Sequence, residues 1–99
     1  MRLARFRKQP AETRKYVLDY SQRLTDGNVL TAINSVIINP ATGVTPLIIV
    51  PSISTDGLQV VLYVSDGDDR VNYKVDILVE ITDPLILWED EIIFLVENT

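Results

Sequence analysis

The stretch Val71-Asn72-Tyr73-Lys74-Val75-Asp76-Ile77-Leu78-Val79-Glu80-Ile81-Thr82 decides how this chain folds. Its odd positions are all apolar, and its even positions are all polar except Leu78. A period of two puts alternate side chains on opposite faces of an extended backbone, so the segment reads as a strand with one face in a core.

The same reading extends outward in both directions. Leu58, Val60, Leu62 and Val64 alternate with Gln59, Val61, Tyr63 and Ser65, between the turn dipeptides Asp56-Gly57 and Asp66-Gly67. Towards the C-terminus, Trp88, Ile92, Phe94 and Val96 share one face, interrupted by Asp90, while the other face carries Glu89, Glu91, Ile93, Leu95 and Glu97. A strand with apolar residues on both faces is expected to be central in its sheet or covered by a partner. In the first half, Tyr16, Leu18 and Tyr20 alternate with Lys15, Val17, Asp19 and Ser21. A helix over Ala11 to Leu24 is the competing reading, but the aromatics favour a strand. Val29 to Ile38 is β-branched and mostly apolar on both faces up to Asn39-Pro40, and Thr42-Gly43 follows as a further break. Leu47 to Val50 lies between Pro46 and Pro51, which demotes it to an edge strand or an extended loop.

Short strands separated by turn signals, with no convincing amphipathic helix, predict an all-β antiparallel sandwich. The segment Asp69-Arg70-Val71-Asn72-Tyr73-Lys74-Val75 resembles the Asp-x-Ala-x-Tyr-x-Cys stretch of immunoglobulin domains. On that resemblance the sandwich is immunoglobulin-like, Tyr73 is its corner tyrosine and Val75 stands at the cysteine position. An ordinary core-facing tyrosine is the alternative, and it yields the same fold class.

Ninety-nine residues suffice for one domain. We expect residues 11–99 to form the sandwich and residues 1–10 an extended basic arm, because four cations there are interleaved with only Leu3, Ala4 and Phe6 as apolar side chains. The longest apolar runs fall well short of the ~20 residues a membrane-spanning helix needs, so no membrane partner is expected. The basic start runs into Gln9-Pro10 where a signal peptide would place its apolar stretch, so export by a signal of its own is not expected.

The net charge is −5 and is unevenly spread. Residues 1–23 hold seven cations against two acids, whereas residues 24–99 hold Arg70 and Lys74 against twelve acids. The acidic body disfavours nucleic acid as a partner. For the N-terminal cations three readings stand: a solvated tail, contact with nucleic acid, and an arm that binds an acidic protein surface. The third leads, with Arg2, Leu3, Arg5, Phe6, Arg7 and Lys8 as its interface residues. Leu85, Leu87, Trp88, Ile93 and Leu95 are the apolar candidates for a second interface. On this reading, removal of residues 1–9 leaves the domain folded but prevents its incorporation into particles.

Catalytic chemistry finds little to work with. The chain has no histidine and no cysteine, which removes the commonest general base, thiol nucleophiles and the usual zinc ligands. Its four glycines form no phosphate-binding loop. Asp66-Gly67-Asp68-Asp69 lacks the spacing of an EF-hand, and a solvated turn is preferred over a calcium site. Glu89-Asp90-Glu91 reads either as a solubilising edge or as a docking surface for basic groups. No enzyme and no cofactor are therefore expected.

Phe6, Lys8, Pro10, Glu12, Tyr16, Asp19, Ser21, Leu24 and Gly27 stand at spacings that resemble the opening of the small phage fibre-tail adaptor family. The resemblance continues through Gly67 to Val75 and the closing Asp90-Glu91-Ile92-Ile93-Phe94-Leu95-Val96. The sequence departs from that pattern at Val36, where a tryptophan is common, and at Leu85-Ile86-Leu87-Trp88, where a polar glycine turn is usual. What the resemblance implies is a virion protein of the tail or neck, made in the host cytoplasm. Several copies would join the tail to fibres or neighbouring tail proteins, with other copies of itself in a ring. The alternative function is a carbohydrate- or receptor-recognition module, which Trp88 would allow.

Overall fold

The structure is a computed structural model that describes residues 2–98, and of Arg2 the backbone alone. Seven strands follow one another: β1 (Arg2–Lys8), β2 (Arg14–Asp19), β3 (Leu30–Asn39), β4 (Leu47–Ile53), β5 (Gln59–Asp66), β6 (Val71–Ile81) and β7 (Leu87–Val96). They form two packed sheets, one in the order β1-β7-β6-β3 and the other β2-β5-β4. The fold is an all-β sandwich, compatible with an immunoglobulin-like one.

The alternation in β6 sets the core. Tyr73, Val75, Ile77 and Val79 are fully buried, and Ile81 nearly so. The even positions face away from the second sheet, including Leu78, which stands between Ser35 of β3 and Glu89 of β7. From the opposite sheet Tyr16, Leu18, Val60, Leu62 and Val64 meet these side chains, and Ile92, Phe94 and Val96 of β7 complete the interior. Burying such side chains contributes roughly 1.5–3 kcal/mol each, enough to hold two sheets whose strands are remote in sequence. Pro51 lies inside β4 and is tolerated there because β4 is an edge strand.

The structure differs from the sequence reading at the N-terminus. Residues 2–8, expected as an arm outside the sandwich, form an edge strand paired in parallel with β7, so the first sheet is mixed rather than purely antiparallel. The physical reason lies in β7, whose apolar residues on both faces call for a neighbour on each side. Phe6 points inward and packs on Tyr16 and Phe94, with ring centroids 4.6 and 5.5 Å away. The Tyr16 hydroxyl donates to the Arg7 carbonyl at 2.7 Å and ties the edges of the two sheets together.

At one end, a closed set of hydrogen bonds joins the β3–β4 loop to the β5–β6 turn. The Tyr73 hydroxyl accepts from the Asp68 N–H at 2.8 Å and donates to the Thr45 carbonyl at 2.6 Å. The Thr45 N–H in turn donates to the Asp68 carboxylate at 2.6 Å, which holds that carboxyl below its ordinary pKa. Gly67 makes this turn possible, since its φ is +95° and a Cβ there would lie 2.9 Å from Val96 Cγ2.

Two outcomes follow. Tyr73→Phe leaves the Asp68 N–H and the Thr45 carbonyl without their partner and lowers stability by about 1–3 kcal/mol in urea titration, with little change in slope. Deleting residues 2–8 uncovers β7 and removes Phe6 from the core. Contrary to the expectation for a free arm, it lowers the thermal midpoint by at least ~10 °C, on a scale of ~4–8 °C per kcal/mol.

Candidate functional site

Alternation along β1 splits the N-terminal cations into two groups. Arg5 and Arg7 are exposed on the outer face of the first sheet, beside Ile93 and Leu95 of β7 with which they are in register. Ile93 and Leu95 are half-buried, so the four residues form one basic-apolar patch. Arg14 and Lys15 are exposed on β2, the neighbouring edge of the other sheet. One long side of the sandwich is therefore cationic.

Lys8 belongs to the other group and corrects its assignment as an interface residue. Its side chain is 2% exposed, and the ammonium donates to the carbonyls of Gln9 at 2.7 Å, Asp66 at 2.7 Å and Pro10 at 3.3 Å. Burial lowers its pKa, opposed in part by the charges of Asp66 and Glu12. Three carbonyl acceptors match the three N–H donors of a lysine, so this cation closes the turns at its end of the molecule and is not offered to a partner. Phe6 is likewise committed to the core contacts described above, and Leu3 is half-buried against the core. The side chain of Arg2, also expected at the interface, lies outside the described residues.

The C-terminal candidates also divide. Leu85 is 92% exposed and Leu87 is 55% exposed, at the β6–β7 connection. This connection lies six residues of β7 away from Ile93, roughly 20 Å along the strand. Trp88 points inward. Its ring stacks on Tyr20 with centroids 6.1 Å apart and an interplanar angle of 8°, and the Arg23 guanidinium lies 4.2 Å from its centroid.

Asp90 shares that inner face and is buried, which corrects its reading as part of an acidic surface run. It accepts from the Tyr20 hydroxyl and from Arg23, both at 2.8 Å, while its second oxygen has no hydrogen-bond partner. A buried carboxylate is tolerated only with such partners, and removing one typically costs about 3–5 kcal/mol. The sequence signal was present in the spacing Trp88-x-Asp90-x-Ile92, but the cation that satisfies Asp90 comes from a remote segment.

The Asp66–Asp69 turn is accounted for by its hydrogen bonds. Asp68 serves Thr45, Asp69 accepts from the Asn98 N–H at 2.8 Å, and the Asp66 carbonyl accepts from Lys8. Among the described residues no group of three or more acidic side chains is arranged to hold a metal.

Sequence reading missed a further set of exposed apolar residues: Val17, Ile37, Ile48, Val50 and Tyr63. Val17, Val50 and Tyr63 lie on the outer face of the second sheet, where Tyr63 of β5 pairs with Val50 of β4 and Lys15 of β2, and Val17 pairs with Val61. For Ile37, Ile48 and Val50, whose segments are apolar on both faces, strand pairing tells which face is free.

A small β-sandwich that displays cationic and aliphatic side chains on its outer faces has the surfaces of a structural or binding protein. Comparison with protein families gives the particular group. Residues 8–91 match the family described as Podophage GP4 fiber-tail adaptor protein gp77, and the chain belongs to it. It is thus a structural adaptor protein of a phage tail. No curated protein and no solved structure matches the chain.

The Tyr20 contact predicts alkaline sensitivity. Burial first, and the hydrogen bond to Asp90 second, raise the pKa of Tyr20 above its ordinary value near 10. The unfolded chain therefore releases this proton at lower pH than the folded one. The stabilisation is complete below pH ~10 and is lost as pH rises beyond it. Urea midpoints measured from pH 8 to 11 should fall above pH ~10, and Tyr20→Phe should make that fall shallower.

Proposed function

We propose that this chain sits in the tail or neck of the virion in several copies and joins the tail to fibres or to neighbouring tail proteins. The observation that carries the reading is the basic-apolar patch of Arg5, Arg7, Ile93 and Leu95 on a chain whose net charge is −5. Cations displayed in register on a rigid strand meet an acidic protein surface with less ordering cost than a free tail would incur. The half-buried Ile93 and Leu95 beneath them supply the apolar area that exposed ion pairs lack. Charge polarity supports multiple copies, since a basic side and an acidic body on one chain favour head-to-tail contact, which forms a ring when its rotation closes.

Leu85 and Leu87 offer a second contact at the far end of β7, which suits a protein that must touch two partners. The alternative of a carbohydrate-recognition module draws no support from Trp88. That ring is engaged by Tyr20 and Arg23.

Arg5 and Arg7 are exposed, so Arg5→Glu combined with Arg7→Glu should leave the melting temperature within a few degrees of wild type, as surface changes usually do. Particles assembled with this chain should lack both it and their fibres, as judged by gel analysis and adsorption. Normal incorporation of the doubly reversed chain would refute the assignment of the patch.

A further inference from the structure

The two long sides of the sandwich are unlike. β1 and β2 carry Arg5, Arg7, Arg14 and Lys15, whereas β3 and β4, the edges on the other side, hold no charged residue along their whole length. Edge strands of stable monomers are guarded by charges, and this side instead exposes Ile37 at 55%, Ile48 at 46% and Val50 at 60%. Beside Ile37 lies a shallow groove of about 240 Å³ lined by Ser35, Ile37, Leu78, Asp76 and Glu89. Its floor is apolar and its charged lining residues are both acids. Such a groove fits an arginine, whose methylene stem packs on aliphatic carbon while the guanidinium reaches a carboxylate.

We propose that this β3-side groove receives Arg5 or Arg7 from the β1 edge of a second copy, with the uncharged β3/β4 side lying against the cationic β1/β2 side. The inference rests on the reading that the chain works in several copies, and it names the surfaces that meet. The contact is heterologous, so it leaves one free side of each kind until a ring closes. The molecule's principal extents are 43 × 21 × 18 Å, and a side 43 Å long can supply the ~800 Å² per partner of a standard interface. Pro51 has no N–H to give and the β3–β6 pairing is irregular at two places, so the union is made by side chains rather than by a continued ladder. Asp76 already lies 3.7 Å from Lys74, and an incoming arginine shares that carboxylate.

The test uses assembled particles. Arg5→Lys with Arg7→Lys keeps the charge and supplies amines that a zero-length carbodiimide couples to carboxylates. Dimers recovered from particles should contain a peptide bearing position 5 or 7 joined to the peptide bearing Asp76. Dimers joined only elsewhere, or several copies per particle with no dimer, would overturn the groove while leaving multiple copies intact. A single copy per particle would overturn the multi-copy reading and the groove together. Independently, Ile37→Arg fills the groove from within its own chain and should lower incorporation about tenfold without shifting the melting temperature. Wild-type incorporation of that variant counts against the proposal.

Discussion

β7 is apolar on both faces and lies inside its sheet, flanked by β1 and β6, rather than at an edge. Its outward residues Ile93 and Leu95 are half-buried because β1 lies along one side of it and β6 along the other. Much else depends on that coverage. With β1 in place, the alternation of its side chains sends Phe6 into an aromatic cluster with Tyr16 and Phe94, and sends Arg5 and Arg7 to the surface. The chain then reaches Lys8 as it leaves the sheet, where the Lys8 carbonyl accepts from the Glu97 N–H at 2.9 Å and its ammonium gathers three carbonyls.

Besides the capped Lys8, polar groups are held inside the fold in two small networks, and each joins segments remote in sequence. Tyr73, Thr45 and Asp68 link the loops at one end of β6. Tyr20, Arg23, Trp88 and Asp90 link the segment after β2 to the beginning of β7. In both cases an aromatic ring fills core volume while its polar end or face satisfies a neighbour. These networks commit residues that could otherwise be taken for a surface site, notably Trp88 and Asp90.

What is left for partners is consequently simple. The outer faces and long sides of the sandwich carry the cations of β1 and β2, the acids of β6 and β7, and exposed aliphatic side chains on β3, β4 and the β6–β7 connection. A structural adaptor of a phage tail needs durable contact surfaces on a rigid body, and a fold in which alternation separates core from surface supplies them. The family match covers residues 8–91 and so takes in the sandwich from the end of β1 into β7.

Period-two patterning made β5, β6 and β7 legible from the sequence, because face assignment is a local property of extended backbone. The same patterning showed that β7 needed cover and that Trp88 and Asp90 share a face, while the flanking prolines marked Leu47 to Val50 as an edge strand or an extended loop. The absence of histidine and cysteine was equally plain. Only the tertiary structure decided which segment covers β7, and hence that residues 2–8 are a strand and not an arm. It alone revealed that the Lys8 ammonium is capped by the adjacent Gln9 and Pro10 carbonyls together with the remote Asp66 carbonyl, and that Arg23 reaches Asp90. It also showed Ile37, Ile48 and Val50 to lie on an unguarded side. The physical reason is the same throughout: alternation tells a side chain which face it occupies, but strand pairing is non-local, and the chain itself does not say which strand will lie beside which.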